Sequence, residues 1–205
     1  PLCGIEADEL KTVARKIAGA NAAMIFWGMG IAQHTHGTDN ARCLIALALL
    51  CGQIGRPGAG LHPLRGQNNV QGASDAGLIP MMYPDYKQVT NEETRGKFEA
   101  YWETDLNPET GLTVVEIVQA ILADEISGMY VMGENPAMSD PDSNHTREAL
   151  AKLEHLVVQD IFLTETANYA DVILPASAWP EKDGTVTNTD RRVQLGRKAL
   201  EMPGE

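Results

Sequence analysis

Arg65 is the side chain best suited to chemistry in this sequence. It stands in the run Leu61-His62-Pro63-Leu64-Arg65-Gly66-Gln67-Asn68-Asn69-Val70-Gln71-Gly72-Ala73-Ser74-Asp75, beside four side-chain amides. A guanidinium keeps its charge and presents a planar fork of donors to an anion. The amides of Gln67, Asn68, Asn69 and Gln71 donate and accept together, which suits the edge of a heterocycle or a carboxylate. Gly66 and Gly72 allow the backbone to turn or to approach a ligand closely. The competing reading is that these amides only satisfy backbone groups in a long connection. The run alone leaves both open.

Three further polar clusters follow short apolar runs. Gly28-Met29-Gly30 follows residues 22–27, Gly133-Glu134-Asn135 follows 129–132, and Gln159-Asp160 closes 156–160. Ligands of open α/β sheets lie beyond the carboxyl ends of strands. A carboxylate such as Asp160 can accept two parallel donors, as a guanine-type N–H pair offers. The pattern therefore points to a large, hydrogen-bond-rich, partly anionic cofactor bound across two α/β units. Other candidates are weaker. His34-Thr35-His36 reads as loop hydrogen bonding before it reads as a metal pair. Asp140-Pro141-Asp142 reads as a solvated turn, and Met81 and Met82 as core filling. The sequence contains no GxGxxG, no Walker loop and no GxSxG elbow.

The elements that must position these residues alternate in type. Helical periodicity covers 6–19, the stretch from Arg42 to about Gln53 after a cap at Thr38, Asp39 or Asn40, and 93–102, 114–124 and 144–153. Short apolar strands are expected at 22–27, 129–132, 156–160 and 171–175, a short helix at 164–169, and a loop or hairpin at 181–194. The run 61–75 reads as one loop. This alternation predicts an α/β fold, a parallel-sheet αβα sandwich of Rossmann-like units. The expected organisation is the C-terminal part of one cofactor-binding domain over 1–67, most of a second, dinucleotide-binding domain over 68–176, and a strip of a third over 177–205.

Composition narrows the function classes. Of 205 residues 43% are hydrophobic, and 28 acidic against 16 basic side chains give a net charge of −12. Such a surface repels nucleic acid and anionic membranes, so neither is an expected partner. No apolar stretch approaches membrane-spanning length and no signal peptide opens the chain, so a cytoplasmic location is expected. Cys3, Cys43 and Cys51 show no CxxC spacing; Cys43 and Cys51 fall in an apolar helical pattern and are expected to be buried free thiols. The chain opens on Pro1 and reads as a piece of something longer.

Several motifs in order carry a resemblance. Gly28-Met29-Gly30-Ile31-Ala32-Gln33-His34, Gly52-Gln53-Ile54-Gly55-Arg56-Pro57-Gly58, and the run 63–72 are the first three. Met132-Gly133-Glu134-Asn135-Pro136, Val158-Gln159-Asp160-Ile161-Phe162, Ala170-Asp171-Val172-Ile173-Leu174-Pro175 and residues 184–194 continue them. The set resembles the molybdopterin oxidoreductase family, and within it the catalytic alpha subunits of formate dehydrogenases of the soluble, NAD-linked type.

The resemblance implies a bis-molybdopterin guanine dinucleotide carrying molybdenum or tungsten, oxidation of formate to carbon dioxide, and an iron–sulfur cluster ligated elsewhere. It implies as partners the remaining domains of the same subunit, and iron–sulfur and NAD- or flavin-binding electron-transfer subunits. By the same resemblance Arg65 matches the active-site arginine that orients formate. Met29 and Gln33 match a pterin-contacting strand end, and Gln67 a cofactor-contacting amide. Asn135 and Ser139 match cofactor-contacting positions, and Gln159 and Asp160 the dinucleotide-reading strand end. The family's metal-ligating cysteine or selenocysteine, with its neighbouring histidine, has no counterpart among Cys3, Cys43 and Cys51, so no metal ligand is assigned here. The same holds for the family's N-terminal cysteine cluster and C-terminal β-rich domain. The expectation is the middle third of such a subunit, inactive alone. A non-catalytic pterin-binding or scaffold piece, and a related oxidoreductase with another substrate, are the alternatives.

Overall fold

A computed structural model describes residues 3–204, which gather into two compact units. Among the described residues, one comprises 3–70 with 189–191, and the other 71–188 with 192–204.

In the first unit, α1 (Ala7–Gly19) leads to β1 (Met24–Trp27), α2 (Met29–Ala32), α3 (Gly37–Leu50) and β2 (Gly60–Pro63). The strands pair in parallel, Met24 beside Gly60 through Trp27 beside Pro63. The ladder outlasts the proline, because the Leu64 N–H donates to the Trp27 carbonyl at 2.7 Å. The joint between α1 and β1 hangs on one side chain. Gln53, 1% exposed, accepts the Ala23 N–H at 2.9 Å and donates to the Ala20 carbonyl at 3.0 Å. Arg56 donates to the same Gln53 oxygen at 2.8 Å.

Three expectations for this unit change. The run 61–75 is not one loop. Residues 61–63 belong to β2, and Val70–Asp75 is a helix, α4, so only 64–69 is irregular. Backbone pairing with β1 decides the first part, which side-chain pattern did not reveal. The helix α3 starts earlier than its expected caps, at Gly37, where a Cβ would overlap the Ala32 carbonyl. Only glycine allows α2 and α3 to approach so closely. Asn40, expected as a cap, instead donates to the Ile31 carbonyl at 3.0 Å. The cysteines are free thiols as expected, but Cys43 is exposed and Cys51 half-buried. Within α3 only Gly37 and Ala48 are buried, so its apolar pattern does not translate into a covered face.

The second unit opens with α4 and a small antiparallel pair, β3 (Met82–Tyr83) and β4 (Lys87–Gln88). Then come α5 (Glu92–Trp102) and α6 (Val114–Leu122). Tyr83, Phe98 and Trp102 stack beside one another, with ring centroids 4.9 Å and 4.8 Å apart along the series. Asn91 caps α5 by accepting the Thr94 N–H, and the Glu116 carboxylate takes the Thr113 N–H at 2.7 Å at the start of α6.

A three-stranded parallel sheet follows, in the order β5 (Gly128–Met132), β6 (His155–Asp160), β7 (Val172–Pro175). The helices α7 (Pro136–Ser139) and α8 (Ser143–Lys152) connect β5 to β6, and a 3-10 turn (Thr166–Tyr169) connects β6 to β7. Strand residues alternate between faces. Val131, Leu156 and Val158 form the core with Ala137, Leu150 and Ala167. Tyr130 and Met132 on β5, and Val172 and Leu174 on β7, lie on the opposite face and are exposed. The parallel α/β class is as expected, with the sandwich layered on one side of this sheet only. The tail forms an antiparallel hairpin, β8 (Gly184–Thr187) and β9 (Val193–Gly196).

Many large apolar side chains are exposed, including Phe26, Leu50, Phe162, Leu163 and Trp179. Contiguous apolar surface drives association. The 205-residue chain is therefore expected to self-associate in sedimentation velocity; a single monomeric boundary at high concentration would contradict this. Among the described residues no helix is long and apolar enough to cross a membrane.

Candidate functional site

The first unit brings together the carboxyl ends of β1 and β2. Gly28 and Met29 follow β1, and Leu64, Arg65 and Gly66 follow β2. The Met29 methyl lies 3.8 Å from where a Gly66 Cβ would stand, so the two strand ends touch. Arg65 is exposed, and among the described residues no hydrogen bond or ion pair engages its guanidinium. Gln33 ends α2, its N–H held by the Met29 carbonyl at 2.8 Å and its side chain exposed. Gln67 is exposed too, two residues beyond Arg65. His34 is used locally: its Nε2 meets the Gly30 carbonyl at 2.7 Å.

The second unit gathers Asn135, Ser139, Gln159 and Asp160 around the carboxyl ends of β5 and β6. Gly133, at φ 65°, turns the chain off β5, and its N–H donates to the Gln159 carbonyl at 2.9 Å. A Cβ there would meet nothing, so glycine is set by the left-handed backbone and not by crowding. The Asp160 Oδ1 accepts the Ile161 N–H at 2.6 Å. The Gln159 Oε1 accepts the Tyr130 hydroxyl at 2.6 Å.

Asn135 is the most heavily bonded of the expected residues. Its Nδ2 donates to a Glu165 carboxylate oxygen at 2.6 Å. Its Oδ1 accepts the Thr166 N–H at 3.1 Å and the Thr166 hydroxyl at 2.8 Å. Its carbonyl takes the Ser139 hydroxyl at 3.1 Å. Thr166, fully buried, also accepts the Ala137 N–H at 3.1 Å. One amide thus clamps the loop after β5 to the loop after β6, and Pro136 directly follows it as the first residue of α7. The Asn135 hydrogen bond is the main reason that the Glu165 carboxyl sits below the usual glutamate range; its own backbone and Arg147 add to it. A lowered carboxyl pKa contributes stability above the ordinary value, and that contribution disappears as pH falls through the lowered one. In Asn135→Ala, the Glu165 carbon resonance is expected to titrate back in the ordinary range by NMR; an unmoved titration would assign the shift elsewhere.

An apolar cleft lies apart from the Asn135, Ser139, Gln159 and Asp160 side chains. A space of about 240 Å³ lies between α6, α8 and the β5 edge, lined by Val114, Ile117, Ile121, Val131 and Leu150. Asp140 borders it, and burial pushes that carboxyl up. Its neighbour Asp142 caps α8, accepting the His145 N–H at 3.4 Å, so the Asp140–Asp142 turn is partly structural.

The residues missed from sequence are Tyr130, Glu165 and Thr166 here, and Gln53 in the first unit. Tyr130 was hidden inside an apolar run. The polar triplet Thr164-Glu165-Thr166 was visible but lay within what reads as a short helix. In chemical terms one strand end offers a cation and amides, suited to anionic groups, and the other an amide and a carboxylate, suited to a ring edge. Among the described residues no cluster of three or more His, Cys, Asp or Glu side chains could hold a metal ion.

The family described as molybdopterin oxidoreductase matches residues 7–205, so the chain belongs to the molybdopterin oxidoreductase family, which implies a molybdopterin cofactor. It is 52% identical to the F420-dependent formate dehydrogenase subunit alpha of Methanocaldococcus jannaschii, across all of this chain and 30% of that protein. It is 47% identical to the F420-dependent formate dehydrogenase 1 subunit alpha of Methanococcus maripaludis, with the same coverage. It is 42% identical to formate dehydrogenase H of Escherichia coli, across 98% of this chain and 28% of that protein. The chain thus spans about 30% of the length of these relatives.

Proposed function

We propose that this chain is the central part of a formate dehydrogenase catalytic subunit, and that it holds portions of a bis-molybdopterin guanine dinucleotide at its strand ends. The observation that carries the reading is Arg65, a permanent cation at the end of β2 with no hydrogen-bond or ion-pair partner among the described residues, beside Met29 and Gly66. The names of relatives that match nearly all of the chain support formate as the anion. The chemistry of the donors fits the organic part of the cofactor. Met29, Gln33 and Gln67 would face it at the β1 and β2 ends, and Gln159 and Asp160 at the β6 end. Asn135 and Ser139 would support the second site, Asn135 chiefly by clamping its loops. When bound, the cofactor, with molybdenum or tungsten, supplies the two-electron redox chemistry. This chain's part is to bind, to orient and to place positive charge.

The two relatives of highest identity reported above are named F420-dependent, which favours F420 over NAD as the acceptor of the full-length protein. Iron–sulfur electron-transfer subunits remain the proposed partners, and the cytoplasm the proposed location. For domain organisation we retain 1–67, 68–176 and 177–205. The parting of the compact units between 70 and 71 supports the first boundary.

The deciding measurement is formate-dependent dye reduction by the full-length subunit, beside the same assay with nitrate as oxidant. Formate turnover is expected, and turnover of nitrate alone would replace this reading with a related oxidoreductase. The isolated chain is expected to be inactive, since the family's metal-ligating cysteine or selenocysteine has no counterpart in its sequence; formate oxidation by it would overturn that division of labour.

A further inference from the structure

We infer that Tyr130 is a positioning residue: its hydroxyl fixes the amide of Gln159 so that the NH₂ group, not the carbonyl, faces a bound ring. The inference rests on the proposed dinucleotide reading of the β6 end and adds a residue that the reading did not contain.

The register supplies the geometry. Tyr130 pairs with Val157, and Gln159 lies two residues further along β6, opposite Met132. Residues two apart on a strand share a face. Tyr130 and Gln159 therefore stand diagonally on the same, open face of the sheet, and a long aromatic side chain spans the gap. The contact is short, 2.6 Å from the phenol oxygen to Oε1. A phenol is a stronger donor than acceptor, because its ring draws on the oxygen lone pairs, so its hydroxyl holds the amide by the carbonyl oxygen. With Oε1 on the phenol, Nε2 is left outward as a pair of donors.

Orientation matters because a glutamine amide is nearly symmetric in shape and opposite in polarity. Outward donors complement the acceptor atoms O6 and N7 of guanine, and meet the N6 amino group of adenine donor to donor. A flipped amide reverses that preference. Tyr130 is half-exposed, so in the free protein water competes with its bond. Under a bound ring the water leaves and the bond strengthens. The preference is thus set in the complex.

The test uses the cofactor-free full-length subunit with GMP and AMP as probes, their dissociation constants read by calorimetry or NMR. Tyr130→Phe removes only the hydroxyl. It is expected to lower the preference for GMP over AMP about two- to tenfold, the range of one lost hydrogen bond. The change should appear partly as tighter AMP binding. A merely structural loss would weaken both probes together and leave the ratio unchanged. Gln159→Ala should reduce the ratio too, and the double variant should match Gln159→Ala alone. If Gln159→Ala reduces the ratio and Tyr130→Phe does not, the positioning role is overturned while the strand end remains a base reader. If wild-type protein does not favour GMP, or Gln159→Ala leaves the ratio unmoved, the dinucleotide reading of this end fails and the role of Tyr130 fails with it.

Discussion

Arg65→Ala in the full-length subunit is expected to lower formate turnover about 10²–10³-fold, the usual cost of deleting one preorganised charged donor from a water-poor site. Metal and pterin content should stay near wild type. The split follows from what Arg65 touches. It braces no strand and pairs with no carboxylate among the described residues, so the fold around it loses nothing when it goes. Its proposed contribution is to attract and orient a monoanion. Arg65→Lys keeps the charge and loses the fork, and should recover only part of the rate. Equal loss of bound metal and of activity would instead make Arg65 a cofactor anchor and remove the substrate-orienting role.

Gln53→Leu is expected to be the most destabilising change of those considered, although residue 53 takes no part in the proposed chemistry. The substitution keeps the bulk and strands the Ala23 N–H and the Ala20 carbonyl. Both groups are partly buried, and a buried backbone group left unpaired costs about 1–3 kcal/mol, so a total of about 2 kcal/mol is expected. That is a large share of the stability of an ordinary domain. Arg56 would also lose its acceptor. Gln53→Glu should cost less, because it retains the acceptor and loses the donor. Urea unfolding of the first unit's tryptophan signal reads the effect, and an unchanged midpoint in Gln53→Leu would refute the bracket role. Gln33→Ala, an exposed amide in the same unit, is the matched control with no expected shift.

The comparison of these two residues shows what the sequence could and could not disclose. Arg65 was legible because a fixed cation among amides and glycines is a chemical statement in itself. The parallel α/β class was legible because short apolar runs alternate with amphipathic helices, and the ends of β5 and β6 fell where those runs ended. Gln53 looked like one polar letter in a glycine-rich motif; its value lies in two backbone atoms some thirty positions away, at Ala20 and Ala23. The strand β2 is not legible in the sequence for a similar reason. Gly60–Pro63 has neither alternation nor β-branched residues, and it is a strand because β1 offers it a ladder. Periodicity indicates which residues can be buried together, not whether anything covers them, and so it does not disclose the exposure of Cys43.

The Asn135 clamp has a further consequence, for chemical ageing. Asparagine side chains deamidate when the backbone nitrogen of the next residue attacks the side-chain carbonyl and closes a cyclic imide. That nitrogen must give up its proton, and in Pro136 it has none. The amide is also held at both ends, by Glu165 and by Thr166, in a pose that leaves little room for ring closure. The side chain that ties the two strand-end loops together is therefore placed beside the one residue type that protects it from slow hydrolytic loss, and the clamp should outlast the asparagines of this chain that do not precede proline under prolonged heating.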